Sequence, residues 1–255
     1  MKRYFAGATT LILVALIAAP YGTRAFAQIP QLSSDQPPAS PTMPPEMRGD
    51  LAMARQQYLA AIDAYNQTPA KSAVIWNKMG IAWHHLFAVD QARRDYQQAL
   101  RLRPDYPEAL NNLGAIYYAK KNYGKAISYY TKALQFDPKS AAVYSNLGTA
   151  YFARGKVAQG IDAYRNAFAF DPHIFESSSA LLVNEALPAH DRAQQDYCLA
   201  KLFAQSGKND EAIEYLRKAL NEGFPDRKKI LGDQTLASLR ATPEFNQLMT
   251  EEKLR

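Results

Sequence analysis

The chain has 255 residues, 47% of them hydrophobic and 21% charged, with a formal charge of +6 and a single cysteine. That length suits one large domain or a repeat array. One cysteine excludes an internal disulfide framework and a multi-cysteine zinc site.

The first segment is read as a targeting sequence. Lys2 and Arg3 precede an apolar run from Phe5 to Ala19, which Pro20 and Gly22 break before the small residues Ala25-Phe26-Ala27. A run of about 15 residues is shorter than the about 20 a membrane span needs, so residues 1–27 read as a secretory signal cut between Ala27 and Gln28. The alternative reading is an uncleaved anchor. With Lys2, Arg3 and Arg24 removed, the remaining chain carries a formal +3, too little to argue for nucleic acid. The expected location is across the inner membrane, in the periplasm, and the mature chain is expected to hold no membrane span.

Residues 28–49 contain six prolines and almost no large apolar side chain. That composition predicts an extended, disordered linker. Residues 50–72 follow as an N-terminal cap, a helix over about 45–66 that looks like the second half of a helix pair without its partner.

Beyond this point the chain repeats with a period of 34. Gly80, Gly114 and Gly148 keep that interval, as do Trp83, Tyr117 and Tyr151, then Tyr96, Tyr130 and Tyr164. Ala99, Ala133 and Ala167, and Pro104, Pro138 and Pro172, add two more registers. Within one period, Leu110, Leu113 and Tyr117 make one helical stripe, and Ala126, Ile127, Tyr130, Ala133 and Leu134 make a second. Gly114 and Ala133 are small where two helices must approach, and Pro138 stops one helix before the next starts. Each period predicts an antiparallel helix pair that buries its apolar face only by stacking on its neighbours.

This pattern resembles the tetratricopeptide repeat. Trp76, Met79, Gly80 and Trp83 match its opening, and Ala92, Tyr96, Ala99 and Pro104 complete the first copy, residues 73–106. Further copies fall at 107–140 and 141–174, the latter with Gly160 where alanine is expected. A fourth, at 193–226, is displaced by an insertion at 175–192: Leu199, Ala200, Phe203, Ala212, Leu216 and Ala219 match the third copy after a shift of 52. Residues 227–255 are expected to cap the stack through Leu231, Leu236, Leu239, Phe245 and Leu248, with Asp233 capping one short helix and Thr242-Pro243 opening another. The resemblance implies an all-α fold, a right-handed α-solenoid of helix-turn-helix repeats closed by helical caps.

The residues offer little chemistry. His84 and His85 point about 100° apart on a helix, and position 88 is alanine, so the i, i+4 pair of a helical zinc site is missing. Cys198 reads as a buried small hydrophobe. No metal, cofactor or catalysis is expected.

The resemblance instead implies a concave groove for a protein or peptide partner. Its lining would be Asn77, Ile81, His84 and His85 from the first copy; Asn111, Asn112, Ala115 and Tyr118 from the second; and Ser145, Asn146, Thr149 and Phe152 from the third. The Asn amides would bind a peptide backbone, or alternatively satisfy a neighbouring repeat. Tyr118 and Phe152 would supply apolar contact area. Of the carboxylate clamp found in some members only Asn112 is matched, so an internal segment, not an acidic C-terminal tail, is the expected ligand. Three alternatives stand beside a scaffold: an assembly factor presenting an exported client, an enzyme accessory using the insertion, and a homo-oligomer.

Overall fold

The computed structural model describes residues 43–175, 189–224 and 226–250. The targeting segment with its Ala27–Gln28 junction, the linker up to residue 42 and residues 176–188 of the insertion lie outside them. Twelve α-helices and no strands occur among the described residues. They are α1 (Pro45–Ala54), α2 (Tyr58–Asn66), α3 (Ala73–His85), α4 (Val89–Leu102), α5 (Pro107–Ala119) and α6 (Tyr123–Phe136). After these come α7 (Ala141–Ala153), α8 (Val157–Phe170), α9 (Ala189–Gln205), α10 (Asn209–Asn221), α11 (Arg227–Gly232) and α12 (Pro243–Thr250). Each odd-numbered helix through α9 packs most closely on the even one after it, and each pair stacks on the next. The fold is an α-solenoid.

Local signals set the helix ends. The Ser72 hydroxyl accepts from the Ile75 amide at 3.3 Å and the Asn122 side chain from the Lys125 amide at 3.2 Å. Pro45 and Pro107 open α1 and α5, where the missing N–H has no intrahelical partner to lose. The turn inside each pair passes through a left-handed residue: Gln56, Phe87, Lys121, Gly155 and Gly207, with φ from 56° to 77°. Glycine takes that conformation freely, and the three other side chains hold it because the helix pair on either side dictates it.

One contact recurs through the stack. Tyr96, Tyr130 and Tyr164 are at most 1% exposed and pack against Gly80, Gly114 and Gly148. A Cβ on any of these glycines would meet the ring at 2.3–2.5 Å. The last pair, α9 and α10, meets the same volume differently, with Ala200 and Leu216, both fully buried, at the corresponding positions.

That contact corrects the N-terminal assignment. Gly49 lies under Tyr65 in the same way, with the ring 2.3 Å from an added Cβ and Tyr65 wholly buried. The sixteen-residue separation from glycine to tyrosine is the one found in the three interior pairs. α1 and α2 therefore form a complete helix pair, not a lone capping helix. The expected linker also runs too far, since residues 45–49 belong to α1. Gly49 precedes Gly80 by 31 residues, so the shortened period hides this pair from a search at 34.

The far end is closed by α11, the 3-10 turns Gln234–Leu236 and Leu239–Ala241, and α12. Leu236, Leu239, Phe245 and Leu248 are buried there, but Leu231 is 49% exposed. Its neighbour Ile230 takes the inward direction, and consecutive helical side chains diverge by about 100°. Asp233 caps the first 3-10 turn by accepting from the Thr235 amide at 2.9 Å. It also accepts from the Tyr197 hydroxyl at 2.7 Å and pairs with Lys201 at 2.8 Å, which ties the cap to α9.

Candidate binding face

The face expected to bind a partner is built from α3, α5 and α7. Side chains of adjacent repeats are stitched across it. Asn112 donates its amide to the Asn77 side-chain oxygen at 3.1 Å, and Asn146 donates to that of Asn111 at 2.9 Å. Each donor is one repeat plus one residue beyond its acceptor. Lys78, one residue past Asn77, makes the corresponding link to the first pair, reaching Asp50 at 2.7 Å and Glu46 at 3.5 Å. In the last pair the place of Asn146 is held by Cys198, where the ladder ends.

The twelve expected positions divide into two groups. Ile81, His84, Asn111, Asn112, Ala115 and Asn146 are half-buried and His85 is exposed. Asn77, Tyr118, Ser145, Thr149 and Phe152 are buried, which corrects the expectation that they present an open surface.

Phe152 gives the clearest reason. Its ring, 1% exposed, packs on Tyr164 at 5.3 Å and occupies the space that a Cβ on Gly160 would take, only 2.8 Å away. The glycine that departs from the repeat pattern is the one that admits this ring. Tyr118 is 3% exposed and stacks obliquely on Tyr123 at 5.3 Å. Burial, then the nearby Tyr123 and Asp191, raise the Tyr118 hydroxyl's pKa.

Thr149 and Ser145 are absorbed by a buried polar knot. The Thr149 hydroxyl bonds the Ser145 carbonyl at 3.0 Å and the Tyr164 hydroxyl at 2.8 Å, and Gln195 of α9 donates to that same Tyr164 oxygen. α9 has 17 residues against 13 for α3, α5 and α7, and it packs on both α7 and α8. The near flank of the insertion takes part in this core. Phe175 is 2% exposed and packs on Tyr164 at 4.8 Å, while its carbonyl accepts from Tyr215 at 2.9 Å. Residues 189–192 are the first turn of α9. Arg192 pairs with Glu222 at 2.8 Å, so the insertion is anchored at both ends, and the displaced last pair explains why third-repeat face positions are covered.

The paired histidines diverge. His85 stacks on Tyr58 of α2, centroids 4.6 Å apart and planes within 1°. His84 lies on the neighbouring side, its pKa lowered by burial and by the adjacent His85. Among the described residues no group of three or more His, Cys, Asp or Glu could hold a metal.

Cys198 is 5% exposed and borders a cleft of about 130 Å³ between α8 and α9, with Val157, Ile161 and Arg165 on its far wall. Burial pushes its thiol up to about 12, so almost no thiolate exists at neutral pH. Among the described residues no helix is long and apolar enough to cross a membrane.

Stacked helix pairs, a glycine–tyrosine contact in each of the first four and a side-chain ladder between them define a helical repeat solenoid. Three tetratricopeptide repeat profiles match residues 89–141, 117–173 and 197–221, so the chain carries tetratricopeptide repeats. Comparison with curated proteins gave no match. Among solved structures, one described as a crystal structure of MamA is 20% identical, with 72% of this chain and 96% of that one covered and a TM-score of 0.48. Another, MamA AMB-1, is also 20% identical, with 71% and 99% covered and a TM-score of 0.49. A further form, MamA MSR-1, gives 20%, 69% and 92%, and 0.46.

Proposed function

We propose that this chain is an exported, non-catalytic scaffold that binds a segment of another protein across the polar strip of α3 and α5 and the start of α7. The observation that carries the reading is the ladder from Asn77 to Asn146. Each Asn in it spends one donor or one acceptor on its neighbour. An amide has two of each, so Asn111, Asn112 and Asn146, half-buried beside the buried Asn77, offer further hydrogen bonds from side chains already fixed in place. Holding them before binding reduces the ordering cost of association. Ile81 and Ala115 give the strip short apolar patches, which suits an extended internal segment. The tyrosine and phenylalanine once expected to anchor it belong to the core instead, so the contact is polar and its affinity modest.

Photo-crosslinking tests this face. A crosslinker at Ala115 should capture one defined protein from an envelope extract, and one at Lys132, exposed on α6, should not. Equal capture from both positions would mean that another surface binds. Export is tested separately by fractionation and N-terminal sequencing: the periplasmic form should begin at Gln28. A cytoplasmic chain beginning at Met1 would overturn that part of the proposal.

A further inference from the structure

Phe87 stands out among the side chains of the stack. It is 88% exposed, the highest among the exposed large hydrophobic residues, and it occupies the left-handed turn between α3 and α4 with φ of 57°. A bulky side chain in that conformation is strained, and glycine fills the same turn in the third and fourth repeats. Burial in the core does not explain its retention.

The turns that share this position form one edge of the solenoid. Lys120, from the α5–α6 turn, bonds Asp90 beside Phe87 at 2.7 Å, which joins the first two turns. The Arg154 guanidinium lies over Gly124, 3.3 Å from where its Cβ would be, which joins the second to the third. Along these three turns stand Lys120, Lys121, Lys125, Arg154 and Lys156, all exposed, against the single carboxylate Asp90. The opposite edge, where one repeat passes to the next, carries Asp105, Glu108, Asp137 and Asp171 against Lys71, Arg103 and Lys139. The two edges differ in sign.

We propose that the Phe87–Lys156 edge docks on an anionic lipid surface, with Phe87 entering the interfacial layer and Lys121, Lys125, Arg154 and Lys156 lying on the headgroups, Lys120 being paired with Asp90. Three features favour a bilayer over a protein. The edge is a row of turn tips, which fits a flat, deformable partner. Four of its five cations are lysine, a residue depleted from protein interfaces yet as effective as arginine toward an anionic membrane. A single protruding aromatic ringed by cations is the combination by which peripheral proteins add apolar burial to electrostatic attraction.

Sedimentation of the full chain with phosphatidylglycerol–phosphatidylcholine vesicles, compared with pure phosphatidylcholine vesicles, tests the proposal. Any contribution of the N-terminal apolar run is common to all variants. Wild type should partition onto the anionic vesicles more strongly, and less so as salt rises. Phe87→Gly should lose about tenfold in partitioning, from the lost burial of one apolar side chain. The same variant should melt higher than wild type, because glycine relieves the turn. Lys121→Gln and Arg154→Gln should each lose about fivefold. Equal binding to both vesicle types, or binding unmoved by Phe87→Gly, would overturn the proposal. Release from anionic vesicles by soluble polyglutamate with no dependence on Phe87 would overturn it in favour of an acidic polypeptide partner.

Discussion

Replacing Gly49 by alanine tests whether the N-terminal helix pair is a true repeat. The added Cβ would sit 2.3, 2.5 and 2.8 Å from three ring atoms of Tyr65, all closer than such contacts permit. The ring has little room to retreat. It is completely buried, and its hydroxyl donates to Asp50 at 2.7 Å, which Lys78 of α3 holds in turn. Overpacking of this kind costs about 1–3 kcal/mol, and three contacts inside 3 Å put it toward the upper end. Alanine returns about 1 kcal/mol of helix propensity. The net loss should be about 1–2 kcal/mol, or a fall in melting midpoint of roughly 2–8 °C for a domain of this size. Gly114→Ala, where the ring atoms lie at 2.5, 2.7 and 3.0 Å, is the interior reference and should behave alike. Gly232→Ala, with nothing within 4 Å of the new atom, is the control and should not lower the midpoint. Circular dichroism melts of the three variants suffice. If Gly49→Ala melts with wild type while Gly114→Ala falls, α1 is not seated on α2 as the interior helices are seated, and the N-terminal pair is not a repeat.

Two other perturbations follow from the same packing. Gly160→Ala would bring a Cβ to 2.8 Å from the Phe152 ring, and should cost about 1 kcal/mol net after the gain in helix propensity; adding Phe152→Leu should restore most of the midpoint, and no recovery would mean that another contact is responsible. Asp196 is buried between α9 and α10, where burial, then the nearby Glu222, push its carboxyl up to about 7, against the pull of Lys218 and Arg192. Its folded form therefore binds a proton more tightly than the unfolded chain, so its contribution is greatest below pH 4 and is lost as pH rises through 7. Asp196→Asn should gain on wild type across that interval, by at most about 4 kcal/mol, in denaturant melts at pH 4, 6 and 8; a constant difference across the series would refute the assignment.

The interior repeats are legible in the sequence because each glycine and tyrosine is fixed by a contact inside its own pair and each proline by the turn that leaves it, and these recur at a constant interval. The first pair is equally regular in space but is shortened, so its Gly49 and Tyr65 fall off the 34-residue grid while keeping their own separation of sixteen. Searching for that internal separation, instead of the period, finds it. The ladder was legible only as residue type. That Asn112 donates to Asn77 depends on the offset between neighbouring repeats, which no single repeat encodes.

The binding positions were the least legible for a related reason. A repeat pattern states which way a side chain points, and a neighbour out of register decides whether that direction is open. Tyr118 and Phe152 hold the same place in their copies as His84. His84 stays half-buried; Tyr118 packs with Ala126 and Tyr130 of its own pair and Ala150 and Ala163 of the next, and Phe152 is covered where the insertion brings the long α9 against α7 and α8. One trace of this was available in advance. Gly160 replaces the alanine of earlier copies in the same repeat that carries Phe152, and removing a Cβ in a helix interior gives up about 1 kcal/mol of propensity. A loss of that kind makes sense where a ring needs the space. Phe87 is the reverse case, a side chain placed where glycine would be easier and where no packing rewards it. The two departures point in opposite directions, Gly160 toward the core and Phe87 toward whatever lies beyond the basic edge.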